Sequence, residues 1–238
     1  MKLIRHEEPA VVTALPPYER TYAFPSPYIN EDHAYYDACP MFPEEEKKYL
    51  VDLGIDGWLR REDALKIYEL AFFARGPVLE LGSYQGLSTS IISRANLDGK
   101  TPKEIVSVEL DPAALAKAKT NLESRGLLPH VRQVQQEAAA FCREEVALGR
   151  TYDFVFIDHD HAYSSVLDVC REFGKLVAPG GFCLFHDYLD IRNYDPNNKD
   201  YGVFQAVRDG LQAAEFESWG IFGVTGLYRR TSRPASPG

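Results

Sequence analysis

Between residues 78 and 185 the chain repeats one pattern: a short apolar run, a polar or glycine tip, then a segment with helical spacing. The runs are Val78–Leu81, Ile105–Leu110, Val131–Val134, Tyr152–Ile157 and Phe182–Phe185. They are too short for helices and read as strands buried on both faces, as in a parallel sheet. The intervening segments, 87–95, 112–125, 138–148 and 163–176, read as helices, with Asp111 as an N-cap and Gly126 as a stop for the second. Upstream, Ala64, Leu65, Ile67, Tyr68, Leu70, Ala71 and Phe72 form a helical stripe, and residues 44–50 suggest a shorter helix. A further helix is expected over 203–213. Phe216–Phe222 and Gly226–Arg229 add two strands at the end. Strands alternating with helices specify an α/β fold. The expectation is a doubly wound, mostly parallel, Rossmann-like seven-stranded sheet with an antiparallel C-terminal strand.

Such sheets bind ligands beyond the carboxyl ends of their strands. The residues to inspect are therefore the tips: Glu80, Glu109, Gln136-Glu137, Asp158 to His161, and His186-Asp187. The first tip reads Glu80-Leu-Gly82-Ser83-Tyr84-Gln-Gly86-Leu-Ser88 and leads into a helix. Its glycines let a ligand approach the backbone, and the helix start offers free N–H groups to an anion. A dinucleotide fingerprint places glycine where Glu80 stands. A carboxylate there repels a pyrophosphate and suits an ammonium group. The alternative is an ordinary tight turn. Glu109, ending the second run, can accept hydrogen bonds from a ribose diol. Three of the six histidines lie in Asp158-His159-Asp160-His161 and His186-Asp187, just beyond two strands of the same sheet edge. Each alone would read as structural; together with the aspartates they point to chemistry.

Composition narrows the partners. A net charge of −9 over 238 residues, with no basic run longer than Arg60-Arg61 or Arg229-Arg230, disfavours binding to nucleic acid. Cys39, Cys142, Cys170 and Cys183 form no C-x-x-C pair or zinc pattern and read as buried free thiols. No apolar run reaches transmembrane length, so a soluble cytoplasmic protein is expected. Residues 1 to about 45 hold seven prolines among many aromatics. That forbids long helices and argues for an extended arm. The arm is expected to pack on its own core, cross to a second subunit in a homo-oligomer, or cover the site. The boundaries are 1–56 for the arm, 57–230 for the domain and 231–238 for a disordered tail.

The tip segments resemble motifs of the class I S-adenosylmethionine (SAM) methyltransferases. Trp58-Leu59, Glu80 to Thr89, Phe156 to Tyr163 and Pro179 to Asp187 are similar to the branch holding natural-product and sugar O-methyltransferases and cephalosporin-pathway relatives. The likeness spans about residues 57–230. It implies a SAM site of Glu80, Gly82, Ser83, Tyr84, Gly86, Ser88, Glu109, Leu110, Glu137, Ala138, Asp158 and His159, with Glu80 facing the methionine amino group and Glu137 near the adenine. A more distant likeness to catechol-type O-methyltransferases implies a divalent-metal site at Asp158 and Asp187. There His186 stands where an acid is usual. Imidazole weakens the case for Mg²⁺, while Mn²⁺, Fe²⁺ or Zn²⁺ accept it. The same likeness puts His161 at the position of the base; without a metal, Asp158 or Asp160 could orient an imidazole there, and His186 is the alternative base. The implied activity is methyl transfer to a hydroxyl of a small molecule, with or without a metal. The other readings are N- or C-methyl transfer, an NAD-linked oxidoreductase, and a non-catalytic SAM-binding protein.

Overall fold

The structure, a computed structural model, describes residues 34–99, 101–195 and 197–231. The expected tail beyond Thr231 and the first 33 residues of the arm lie outside them. The strands are β1 (Val78–Leu81), β2 (Ile105–Glu109), β3 (Val131–Gln135), β4 (Tyr152–Ile157), β5 (Val177–Phe185), β6 (Phe216–Phe222) and β7 (Thr225–Arg230). They form one sheet in the order β3-β2-β1-β4-β5-β7-β6. β1 to β5 pair in parallel, whereas β7 runs antiparallel to both β5 and β6. The helices are α1 (Ala34–Ala38), α2 (Arg61–Phe73), α3 (Leu87–Asp98), α4 (Pro112–Ser124), α5 (Ala138–Ala147), α6 (Tyr163–Cys170), α7 (Phe173–Leu176) and α8 (Val203–Gly210).

The period-two alternation of the strands divides the core. Val78, Ile105, Phe154, Phe156 and Leu184 pack against α2 and α3 on one face. Leu79, Leu81, Val106, Val108, Val155, Ile157, Cys183 and Phe185 pack against α5 to α8 on the other. Both faces being apolar explains why these strands read as continuous hydrophobic runs. All four cysteines are free and buried.

Three local expectations change. Residues 44–50 form turns rather than a helix, because Leu50 and Val51 are drawn into antiparallel bridges with Arg60 and Met41. The helix expected over 163–176 breaks into α6 and α7, which lets Phe173 turn under the sheet against Phe185 at 5.7 Å. The helix expected over 203–213 stops at Gly210, where a side chain would press on Cys170 and Leu167. The described part of the arm packs on its own core: Tyr35 is buried and stacked on Tyr68 of α2 at 4.6 Å.

Candidate active site

The carboxyl ends of β1, β2, β4 and β5 open into a cavity of about 880 Å³, roofed by the segment from Tyr49 to Arg60. Its size suits a nucleoside-bearing ligand, since small-molecule sites span roughly 300–1,000 Å³. Of the expected cofactor residues, Gly82, Ser83, Tyr84, Ser88, Glu109, Leu110, Glu137, Ala138, Asp158 and His159 line it. Tyr84 (φ 44°) and Asp187 (φ 53°), both in the lining, hold left-handed backbone that non-glycine residues seldom adopt. Such strain concentrates at functional sites.

Glu80 and Gly86 are placed elsewhere. Glu80 shares its face of the sheet with Val78 and so points under α3, not out of the strand tip. It is fully buried. Its carboxylate accepts hydrogen bonds from Ser88 Oγ (2.6 Å), Thr89 Oγ1 (2.5 Å) and Ser107 Oγ (2.8 Å). It therefore stands in the wall behind Ser88, outside the cavity lining. Burial pushes its pKa up to about 7, against the three hydroxyl donors. Gly86 caps α3 in the left-handed region, and a Cβ there would stand 3.2 Å from Ala118 of α4. This glycine permits close packing of α3 on α4. Gly82 does line the cavity, yet a Cβ on it would overlap the Asp158 carbonyl and lie 2.6 Å from His159 Cα. This glycine permits contact between the tips of β1 and β4 as well as access for a ligand.

The two remaining glutamates are held by backbone. Glu109 accepts from Tyr84 N (2.7 Å), Leu110 N (2.8 Å) and Asp111 N (2.9 Å), which fixes its carboxylate at the cavity edge. Glu137 is the N-cap of α5, accepting from Ala139 N (2.8 Å) and Ala140 N (2.7 Å). Buried polar atoms without partners mark where a polar ligand fits. Ser83 Oγ, both ring nitrogens of His159 and His161 Nε2 make no hydrogen bond, and all three residues line the cavity. Burial lowers the His159 pKa, which favours the neutral ring. These orphaned groups, with the glycine turn and the fixed Glu109, fit an adenosyl amino acid.

The histidine–aspartate cluster closes the other end. His186 Nδ1 lies 3.0 Å from Asp158 Oδ1 and 3.7 Å from Asp187 Oδ1. Its Nε2 lies 3.9 Å from Asp63 Oδ2. Burial pulls the His186 pKa down, but the surrounding carboxylates of Asp158, Asp187 and Asp63 prevail and raise it to about 10. Burial likewise pushes Asp158 up, and the imidazoles of His186 and His161 outweigh it, leaving Asp158 below its ordinary value. His161 Nε2 stands between Asp158 Oδ1 (3.4 Å) and Asp187 Oδ2 (3.3 Å). One donor atom each from Asp158, His161 and His186 lies within 4.8 Å of the others, a set able to hold a metal ion. Asp187 was expected among the ligands; it stands outside that set and receives the Tyr201 hydroxyl at 3.3 Å. Sequence reasoning missed Asp63, Asp190, Arg192 and Tyr201. Asp63 is buried in α2 and accepts from Arg60 N, Val224 N and Thr225 Oγ1, with only its place in an apolar stripe as a signal.

Residues 79–188 match a family model described as a methyltransferase domain. Over that stretch the chain is similar to methyltransferase domains. A relative at 27% identity over 158 residues is Uncharacterized protein R132 of Acanthamoeba polyphaga mimivirus. That alignment covers 63% of this chain and 66% of the viral protein. The methyltransferase fold is shared with an O-methyltransferase from Bacillus cereus, solved in complex with SAH (TM-score 0.57, 17% identity, 71% of this chain and 78% of that one). It is also shared with the O-methyltransferase TomG from Streptomyces achromogenes, solved with SAM (TM-score 0.55, 20% identity, 73% and 81%). The chain thus has the fold its strand pattern specified, with no helix among the described residues long and apolar enough to cross a membrane.

Proposed function

We propose that this chain transfers the methyl group of SAM to a hydroxyl of a small natural-product or sugar-like molecule. The observation that carries the reading is His161. His161 lines the cavity, and its Nε2 stands between two carboxylates without making a hydrogen bond, a place where an imidazole can serve as a base. Bound SAM supplies an electrophilic methyl on a sulfonium. The glycine turn, Ser83, Glu109 and His159 would hold the cofactor at the β1, β2 and β4 tips. Asp158 and Asp187 flank His161 and stabilise its charged form once it has accepted the acceptor's proton. Holding nucleophile and methyl in line supplies much of the rate in such a displacement. O-methyltransferases of the same fold support the choice of oxygen.

A second reading, favoured by the donor set of Asp158, His161 and His186, adds a divalent ion. Two imidazoles and a carboxylate suit Mn²⁺, Fe²⁺ or Zn²⁺ rather than Mg²⁺. Such an ion would lower the pKa of the acceptor hydroxyl. The test has two parts. Calorimetry with S-adenosylhomocysteine and with NAD should show affinity for the first only; binding of NAD alone would overturn the reading. An acceptor screen of alcohols, sugars, phenols and amines with labelled SAM should then label oxygen, and H161A should lose turnover while keeping cofactor binding. Exclusive labelling of nitrogen or carbon would replace the O-transfer reading. Full activity in excess EDTA, with no metal by elemental analysis, would leave the metal-free version.

A further inference from the structure

We infer that Tyr201 is a positioning residue for His161, fixing the plane of its imidazole in the cavity. The inference rests on the reading of His161 as the proton acceptor and extends it to a residue that no sequence motif marks.

The two rings are parallel, with an interplanar angle of 1° and centroids 4.8 Å apart. The Tyr201 hydroxyl donates to Asp187 Oδ2 (3.3 Å), the same oxygen that lies 3.3 Å from His161 Nε2. Tyr201 thus meets His161 twice, through the ring face and through the shared carboxylate. Tyr201 is itself well anchored. The Arg192 guanidinium lies over its ring at 3.9 Å, and Asp190 holds that guanidinium with two hydrogen bonds of 2.7 and 2.8 Å. Next in the chain, Gly202 N donates to the His161 carbonyl (2.9 Å), and a Cβ at Gly202 would come within 2.6 Å of Tyr163 Cβ. The excursion after β5 is therefore tied back onto the loop that carries His161.

The restraint is needed because His161 lacks others. Its Nε2 lies 3.3 and 3.4 Å from two carboxylates without making a hydrogen bond to either, so they leave rotation about χ2 unfixed. A base whose ring turns freely presents its lone pair to the acceptor only part of the time, and orientation is a large share of the rate in an in-line transfer. Burial and the adjacent Asp187 carboxylate push the Tyr201 pKa up to about 12, so it stays a hydroxyl donor.

The test uses the full chain with S-adenosylhomocysteine as the probe, and compares Y201F, which keeps the stack, with Y201L, which removes it. In ¹H–¹⁵N spectra of the imidazoles, with His161 assigned by its loss in H161Q, Y201F should retain the His161 signal and Y201L should shift or broaden it. Cofactor affinity should stay within about two-fold in both variants. Turnover with an acceptor from the screen should fall about ten-fold or more in kcat for Y201L, with the KM for SAM little changed, and recover in Y201F. If Y201L does not fold, Y201Q supplies the ring-free comparison. An unaltered His161 signal in the ring-free variant, or equal damage in Y201F, would overturn the inference. Loss of all methyl transfer by the parent chain would instead overturn the functional reading, and the imidazole spectra would still report on the stack.

Discussion

At the scale of the residue, Glu80 and Gly82 show how much a motif position does within the fold itself. Glu80 is an acid at the expected place, but strand alternation turns it under α3, where three hydroxyls satisfy it. Neither spacing nor charge reveals that; the signal was the set of Ser88, Thr89 and Ser107 within otherwise apolar elements. Its raised pKa has a definite sign. An acid that ionises less readily in the folded chain favours folding below its ordinary pKa, and this advantage is lost as pH rises through about 7. Thermal melts from pH 4.5 to 8 should show this decline, on the order of 3 kcal/mol, and E80Q should flatten it. An equal slope in both proteins would contradict the assignment. Gly82 provides a second check. G82A introduces a left-handed alanine and a clash with the β4 tip, and should cost about 3 kcal/mol in denaturant melts together with the cofactor site. G126A, equally left-handed but with no neighbour within 4 Å, should cost only about 1 kcal/mol.

At the scale of the element, the parallel strands and the helices between them were legible because burial on both faces writes itself as short apolar runs. The arm's described portion was less so: Leu50 and Val51 satisfy their backbones against distant Met41 and Arg60, and no local pattern announces such bridges. Tyr201 was hidden for the same reason, since its partners lie on β4 and β5 loops rather than beside it in sequence. Glu137 separates two roles at one position. As the N-cap of α5 it satisfies two orphan N–H groups, so E137A should destabilise the fold by about 1 kcal/mol. If capping is its whole contribution, calorimetry will give E137A the parent's affinity for S-adenosylhomocysteine. A clear loss of affinity would restore the adenine contact that the family likeness implies.

At the scale of the molecule, one cavity draws on segments from Tyr49 to Val224, so filling it should brace most of the sheet's carboxyl edge. S-adenosylhomocysteine at a hundred times its dissociation constant should add about 2.7 kcal/mol, or roughly 5–10 °C in Tm for a chain of this size. NAD at the same concentration should leave Tm unchanged; a rise with NAD would count against the adenosyl amino-acid site. The opposite pole of the sheet carries none of this burden. There Leu148 to Thr151 are exposed, with open space around Gly149. Burial pushes all four native thiols upward in pKa, which leaves them nearly inert toward alkylating reagents. A single cysteine introduced at Arg150 would thus be the chain's one fast-reacting handle among the described residues, letting the protein be tethered to a sensor surface with its ligand entrance turned to the flowing solution.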